Sequence, residues 1–477
     1  MTDLLIRHVT AVTMDPERRV MEDAAIAVGN DRIVAVGPDA EIAATHRAAE
    51  EIEARGMAAI PGLIDSHSHA GHGLVRSLGA GDGKAWYEAC AEIYARGSTV
   101  EFWRAEARLA LLERLKSGVT TAVSLLGGGD DVYRTDDPAC GDAHCDATIE
   151  SGLRTMLAVG PGRRPFPHRF RSSDGEVRDI ALTFERQMEV SEDLIRRRND
   201  IRNDRTGVCL IMPVYHAEEL AEAKTEIAAM AEAVADLRAR YDTLFTQDGH
   251  RNGSIAVARE LGLLGPFALL SHSVDLTPAD FAALTDTGAR IVHNPSAIMS
   301  IYGRCPAPEL IEKGVTVCLG SDAGAPDRGF DMFRHMAQCM HYHRRHFRDP
   351  SYMPPGKVLE MATIDAAHAL GAQDDLGSLE AGKKADIVLV DMRKPHLWPP
   401  NMPVTRLAHF ANAADVDTVV VDGEILMRNR VPRRVDTEAI LEAADRELTL
   451  TLERTGLEGL TCEPRDYWKS AVRSAFS

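Results

Sequence analysis

Apolar and polar residues change rhythm twice along this chain. Near the start, Asp3–Thr13, Ala24–Val28 and Arg32–Val36 alternate or run apolar, and a Gly-Asn-Asp turn separates the last two. That spacing predicts a small sheet. From Gly56 a different unit repeats: a short apolar strand, a polar loop, an amphipathic helix. Its strand candidates are Leu63–Ser66, Thr120–Leu125, Thr155–Val159, Val208–Pro213, Thr243–Thr246, Phe267–Ser271, Ala289–His293 and Val315–Gly320. Between them, Val100–Lys116, Leu220–Arg240, Ser254–Leu261 and Thr277–Asp286 carry helical spacing. Eight strands alternating with helices predict an α/β fold, a (β/α)8 TIM barrel.

After Leu379 the pattern returns to strands, including Val416–Asp422 and Glu424–Met427, which can join the N-terminal ones in one sheet. Thr437–Ser477 reads mainly as helix with a polar tail. The expected organisation is a barrel over 60–380, a small β-sandwich-like domain assembled from 1–59 and 381–436, and a helical extension over 437–477.

Composition narrows the function classes. Of 477 residues, 45% are apolar and 26% charged, as in a globular protein. A net charge of −18, from 72 acidic against 54 basic side chains, argues against nucleic acid or an anionic membrane as partner. The eight cysteines form no Cys-x-x-Cys pair, so neither a zinc knuckle nor a disulfide framework is indicated. No apolar stretch is long enough to span a membrane, and the N-terminus shows no signal-peptide pattern, so a cytoplasmic location is expected.

The candidate chemistry gathers at the ends of the predicted strands, where this architecture places active sites. The first strand runs into His67 and His69, one residue apart and therefore able to face the same side. Two such imidazoles can grip one divalent metal. Later strands end in Gln247-Asp-Gly-His250, in His272, in His293 and in Asp322.

Together, Pro-Gly-Leu-Ile-Asp-Ser-His67-Ser-His69, Ser-Gly-Val-Thr-Thr, Leu-Leu-Ser-His272, His293-Asn-Pro-Ser and Leu-Gly-Ser-Asp322 resemble the amidohydrolase superfamily. The similarity is to its triazine-hydrolase and cytosine-deaminase-like branch, and it covers about residues 3–430. It implies one catalytic metal held by His67, His69 and Asp322, with His272 contacting the water or completing the ligand set. Asp322 would also take the proton of that water. Zn2+ is the first choice of metal and Fe2+ the second. The fourth strand offers no lysine that could bridge two metals.

The chain departs from these relatives at the fifth strand, where the family has a metal-binding histidine and, three residues on, a proton-shuttling glutamate. A gap-free alignment puts Gln247 and His250 at those places. Gln247 would then be a weak ligand or a substrate contact. His250, with a reference pKa of about 6.5, would deliver the proton to the leaving group.

The expected reaction is hydrolysis of a C–N bond in a small, mostly neutral amide, urea or carbamate-like substrate. One alternative is an aminohydrolase, deaminase or dechlorinase, acting on a purine, pyrimidine or triazine. Another is a non-catalytic assembly protein of the same fold. Candidate substrate contacts are Trp86, Tyr215, His216, His293 and Tyr302, with Tyr87, Ile298, Met299 and Arg304 nearby. The run His341-Tyr-His343-Arg-Arg-His346 reads as a basic helix face, because positions two apart do not share one. Leu448, Leu450, Leu452 and Leu457 suggest a homo-oligomer.

Overall fold

The computed structural model describes residues 2–128, 131–201, 203–324, 326–463 and 467–468. Its centre is a parallel sheet of eight barrel strands: Leu63–Ala70, Val119–Gly128, Arg154–Val159, Thr206–Ile211, Phe245–Gln247, Ala268–Ser271, Arg290–His293 and Val317–Leu319, each paired with the next. The ring closes beyond the last strand. Asp322 N donates to His67 O and His69 N donates to Ala323 O, both at 2.9 Å.

Alternation sorts the strand residues into two layers. Ile64, Val123, Leu125, Ala158, Cys209, Ile211, Leu269, Val292 and Cys318 form the cluster inside the barrel, capped by Ala366, Ala367 and Leu370. Their neighbours Leu63, Leu126, Leu157, Leu210, Phe245, Leu270, Ile291 and Leu319 belong to the larger cluster under the helices. The helices are defined locally. Val100–Lys116, for example, begins where Thr99 accepts a hydrogen bond from Phe102 N, and Arg114 and Lys116 occupy its last turn.

Both chain ends build the second sheet. Its order is Val431–Pro432, Glu424–Arg428, Val416–Val421, Ile387–Asp391, Met57–Pro61, Thr2–Val12, Val20–Gly29, Arg32–Pro38, with Ala48–Glu53 also pairing Thr2–Val12. Met57–Pro61 is the seam: it runs parallel to the N-terminal strand and antiparallel to Ile387–Asp391. A buried ion cluster fastens this sheet to the barrel. Arg154, at the start of the third barrel strand, reaches Asp386 at 2.6 Å and Asp422 at 2.7 Å.

The C-terminal helix Thr437–Thr455 lies against Val100–Lys116. The leucines of this helix and of the turn after it divide. Leu452 is buried, Leu448 and Leu457 are partly buried against the main core, and Leu450 is 41% exposed. Most of the apolar surface expected to be free is therefore covered from within the chain. Residues 464–466 and 469–477 of the expected tail lie outside the described residues. No helix among the described residues is long and apolar enough to cross a membrane.

Candidate active site

The site sits at the C-terminal mouth of the barrel, and three local departures from regular strand geometry create it. In the first strand, Asp65 pairs with Ala122 while Ser68 pairs with Ser124, so one extra residue is inserted between them. Before this bulge Ile64 faces the interior; after it Ser68 points outward to Arg114 Nη2 at 2.5 Å, and His67 and His69 face inward. At the sixth strand, alternation alone would send His272 outward with Leu270. A left-handed backbone at His272 (φ 60°) and Ser273 (φ 51°) interrupts the strand and brings the ring to the cluster. Asp322 is also left-handed, with φ 53°. Such conformations in residues other than glycine persist where the surroundings over-determine them. Here Asp65 helps, accepting hydrogen bonds from Ser321 N at 2.8 Å and Ser321 Oγ at 2.7 Å.

The result is a tight set of five side chains. His69 Nε2 lies 3.1 Å from Asp322 Oδ1, and His67 Nε2 lies 3.5 Å from the same atom. A second carboxylate joins them: Asp248 Oδ1 is 3.3 Å from His67 Nε2 and 3.0 Å from His272 Nε2, and its Oδ2 is 3.5 Å from His69 Nε2. These separations match the edges of a coordination shell with metal–ligand bonds of about 2.0–2.1 Å, whose neighbouring ligands stand roughly 3.0–3.4 Å apart. Further features fit a metal. Both ring nitrogens of fully buried His67 lack a hydrogen bond. His69 Nδ1 donates to Gly127 O at 2.8 Å, which leaves Nε2 as the free lone pair. Ser271 Oγ donates to Asp248 Oδ1 at 2.7 Å and orients that carboxylate.

Electrostatics carry the same signature. Burial opposes charge on His67, but the Asp248 and Asp322 carboxylates outweigh it and raise its pKa to about 10. Burial would likewise push both carboxyls up, yet the imidazoles hold Asp248 well below its usual range. The imidazoles and Arg328, 2.9 Å from Asp322 Oδ2, do the same for Asp322. A proton is a poor substitute for a cation at such a place.

The fifth strand differs from its expected register. Leu244 packs on the interior cluster while Phe245 faces the helices, so alternation directs Thr246 and Asp248 inward and Gln247 outward. Gln247 Nε2 donates to Pro213 O at 3.1 Å, away from the cluster. His250 is buried too, with Nδ1 2.9 Å from Ser254 Oγ, and burial pulls its pKa down to about 3. Neither Gln247 nor His250 lines the inner or the outer chamber above the cluster. Asp248 was the residue overlooked, although it stood in the same Gln-Asp-Gly-His segment and a carboxylate is a good ligand for a divalent ion.

Above the cluster lies an inner cavity of about 160 Å3 lined by His69, His72, Trp86, Tyr87, Asp131, Asp248, His272, Asp322 and Arg328 among others. It opens into an outer chamber of about 1200 Å3, with Asp248, Tyr87, Ile298 and Met299 lining both. Trp86 is held by donating Nε1 to Val75 O at 3.1 Å. His216 and Tyr302 line the outer chamber, and Tyr302 is 77% exposed. Tyr215 is buried behind it, with Arg163 5.0 Å above its ring. His293 is buried and lines neither chamber; its Nε2 lies 3.2 Å from His343 Nε2. The expected basic face at 341–346 is therefore split, with His341 and His346 exposed and His343 turned into the core. His72, which the sequence reading passed over three residues after His69, stacks on His69 with ring centroids 4.3 Å apart.

Known proteins resemble this chain over nearly its whole length. Residues 58–426 match the Amidohydrolase family. A 5-methylthioadenosine/S-adenosylhomocysteine deaminase of Syntrophobacter fumaroxidans is 30% identical over 448 residues, covering 92% of this chain and 96% of the relative. A 5'-deoxyadenosine deaminase of Methanosarcina acetivorans is 28% identical, covering 93% and 97%. Among solved structures, a zinc-bound adenosine deaminase of Xanthomonas campestris superposes with a TM-score of 0.80 at 22% identity, covering 95% of this chain and 99% of that one. The zinc complex of atrazine chlorohydrolase from Arthrobacter aurescens gives 0.77 at 23%, covering 93% and 100%. The chain belongs to the amidohydrolase family and is a hydrolase acting on carbon–nitrogen bonds.

Proposed function

We propose that this enzyme is a mononuclear metal-dependent aminohydrolase that removes an exocyclic amino group from a purine-like heterocycle bearing a polar substituent. The observation that carries the reading is the convergence of three imidazoles and two carboxylates beneath a two-part cavity. The deaminase names of relatives 28–31% identical supply the substrate class. His67, His69, Asp322 and Asp248 would hold the metal, with zinc preferred. When bound, that metal acidifies a water and polarises the electrophilic carbon.

The remaining steps belong to the chain. Trp86 and Tyr87 flank the ring in the inner cavity and exclude solvent. Asp322 Oδ1 receives the proton of the attacking water. His272 Nε2, 3.8 Å from Asp322 Oδ1 and 3.0 Å from Asp248 Oδ1, takes that proton from Asp322 and passes it to the departing nitrogen, which leaves as ammonia. The polar substituent lies in the outer chamber, near His216 and the Arg163–Glu219 pair, whose charged atoms are 2.6 Å apart. Assembly as a homodimer or larger, through the side of the C-terminal helix where Leu441 and Leu450 face out, belongs to the same proposal and is read by light scattering.

A second reading, hydrolysis of an amide, urea or carbamate, is favoured by one feature: among the described residues no glutamate lines the inner cavity. A substrate without a ring nitrogen to protonate needs none. The zinc-loaded enzyme is assayed for ammonia release from 5'-modified adenosines and for amine release from anilides, phenylureas and carbamates. Ammonia from the nucleosides supports the first reading. Amine release alone replaces it with the second.

A further inference from the structure

Away from the active site, the structure brings three other potential ligands together. Cys339 and His343 stand four residues apart on the helix Met332–Phe347 and so share a face, and His293 meets them from the end of the seventh barrel strand. One ligand atom from each lies within 4.8 Å of the others, and all three side chains are fully buried. The two imidazole Nε2 atoms are 3.2 Å apart, close to the ligand–ligand edge of a shell with metal–nitrogen bonds of about 2.0–2.1 Å. Both Nδ1 atoms lack a hydrogen bond, and the two Nε2 atoms meet each other, where one ring must donate and the other accept. None of the three lines either chamber of the active site.

We propose that Cys339, His343 and His293 form a second, buried metal site for one soft monovalent cation, Cu+. A thiolate and imidazoles are the donor set that selects thiophilic ions over hard ones. Charge decides between the candidates. Neutral imidazoles and one thiolate carry a single negative charge, which Cu+ cancels. Zn2+ would leave a net positive charge among fully buried side chains, a costly arrangement. Binding displaces the thiol proton to solvent, and no electron moves. Such an ion pins the seventh strand to the helix that follows the eighth. It thereby braces the His293–Tyr302 loop that supplies Ile298 and Met299 to the cavity wall.

Full-length enzyme and Cys339→Ser are each produced in cells supplied with zinc and copper, and metals per chain are counted by mass spectrometry after desalting under reducing conditions. The expected result is one copper per chain in the parent and none in Cys339→Ser, with zinc content the same in both. His343→Gln, with circular dichroism as the check on folding, should lose the copper likewise. A melting temperature raised by copper in the parent only is the second readout. Equal copper in parent and folded variants overturns the site. No copper in the parent also overturns it, leaving an ordinary hydrogen-bonded histidine pair. Zinc filling the site in place of copper overturns the charge argument.

Discussion

His272 Nε2 stands 3.0 Å from Asp248 Oδ1, and that one contact joins the fifth and sixth barrel strands at the cluster. Asp248 also approaches His67 and His69, so its removal strips a charge from the whole set. Asp248→Asn is expected to lower turnover about a hundredfold or more, the scale associated with losing metal-site or acid–base groups. Zinc content should fall in parallel. Full zinc retention with lost turnover would move Asp248 from ligand to proton carrier.

His250→Ala should act on stability and leave the chemistry alone. The ring fills a buried position and binds Ser254 Oγ, which also accepts from Arg251 N at 3.0 Å. Deleting it leaves a hole and an unsatisfied hydroxyl, a loss of about 1–3 kcal/mol. Urea unfolding should show that loss while turnover stays within about threefold. A hundredfold drop in turnover at unchanged stability would restore His250 to the mechanism.

Removing the metal should create a pH-dependent stability. In the metal-free enzyme the folded-state pKa of His67 is raised to about 10, against 6.5 ordinarily. The folded protein therefore binds an extra proton between those values. The associated stability is complete below about pH 6.5 and disappears as pH rises through 10. Melting curves of chelated enzyme between pH 6 and 10 should fall for this reason, and zinc binding should release a proton across the same window. A flat profile in the chelated enzyme would mean that another cation or a rearrangement satisfies the carboxylates.

Asp386→Ala should be among the most destabilising substitutions outside the active site. Arg154 is 3% exposed, and Asp386 neutralises it together with Asp422. Breaking a buried pair costs about 3–5 kcal/mol because a desolvated charge is left behind. Asp422 also serves Arg205 and Lys384, at 2.8 and 2.9 Å, so it cannot fully replace the missing partner. Denaturant titration gives the value; a loss below about 1 kcal/mol would show that water reaches the guanidinium.

Periodicity made the barrel legible because each strand carries its own apolar run and each helix its own face. Val100–Lys116 is recovered to the residue, since Thr99 caps it and Ser117-Gly118 ends it. Ala48–Glu53 escaped because Ala-Ala-Glu-Glu-Ile-Glu is too polar for a strand by pattern; its pairing with Thr2–Val12 overrides propensity. The strand-end motifs pointed to His67, His69, His272 and Asp322, which the fold brings together. Asp248 was not, because the fifth strand spans only Phe245–Gln247 and a single-residue shift swaps inside for outside. In the 341–346 run, His343 shares its helix face with Cys339, four residues back, and not with His341.

The seam at Met57–Pro61 has a consequence for how the chain comes into being. On the ribosome Thr2–Val12 and Met57–Pro61 emerge early, but the edge that Ile387–Asp391 will cover stays bare until the barrel has been synthesised. An apolar strand with an unpaired edge invites association with other chains. The nascent enzyme must keep Met57-Ala-Ala-Ile-Pro61 shielded throughout that interval, and a ribosome stalled before Ile387 would release a species prone to aggregate.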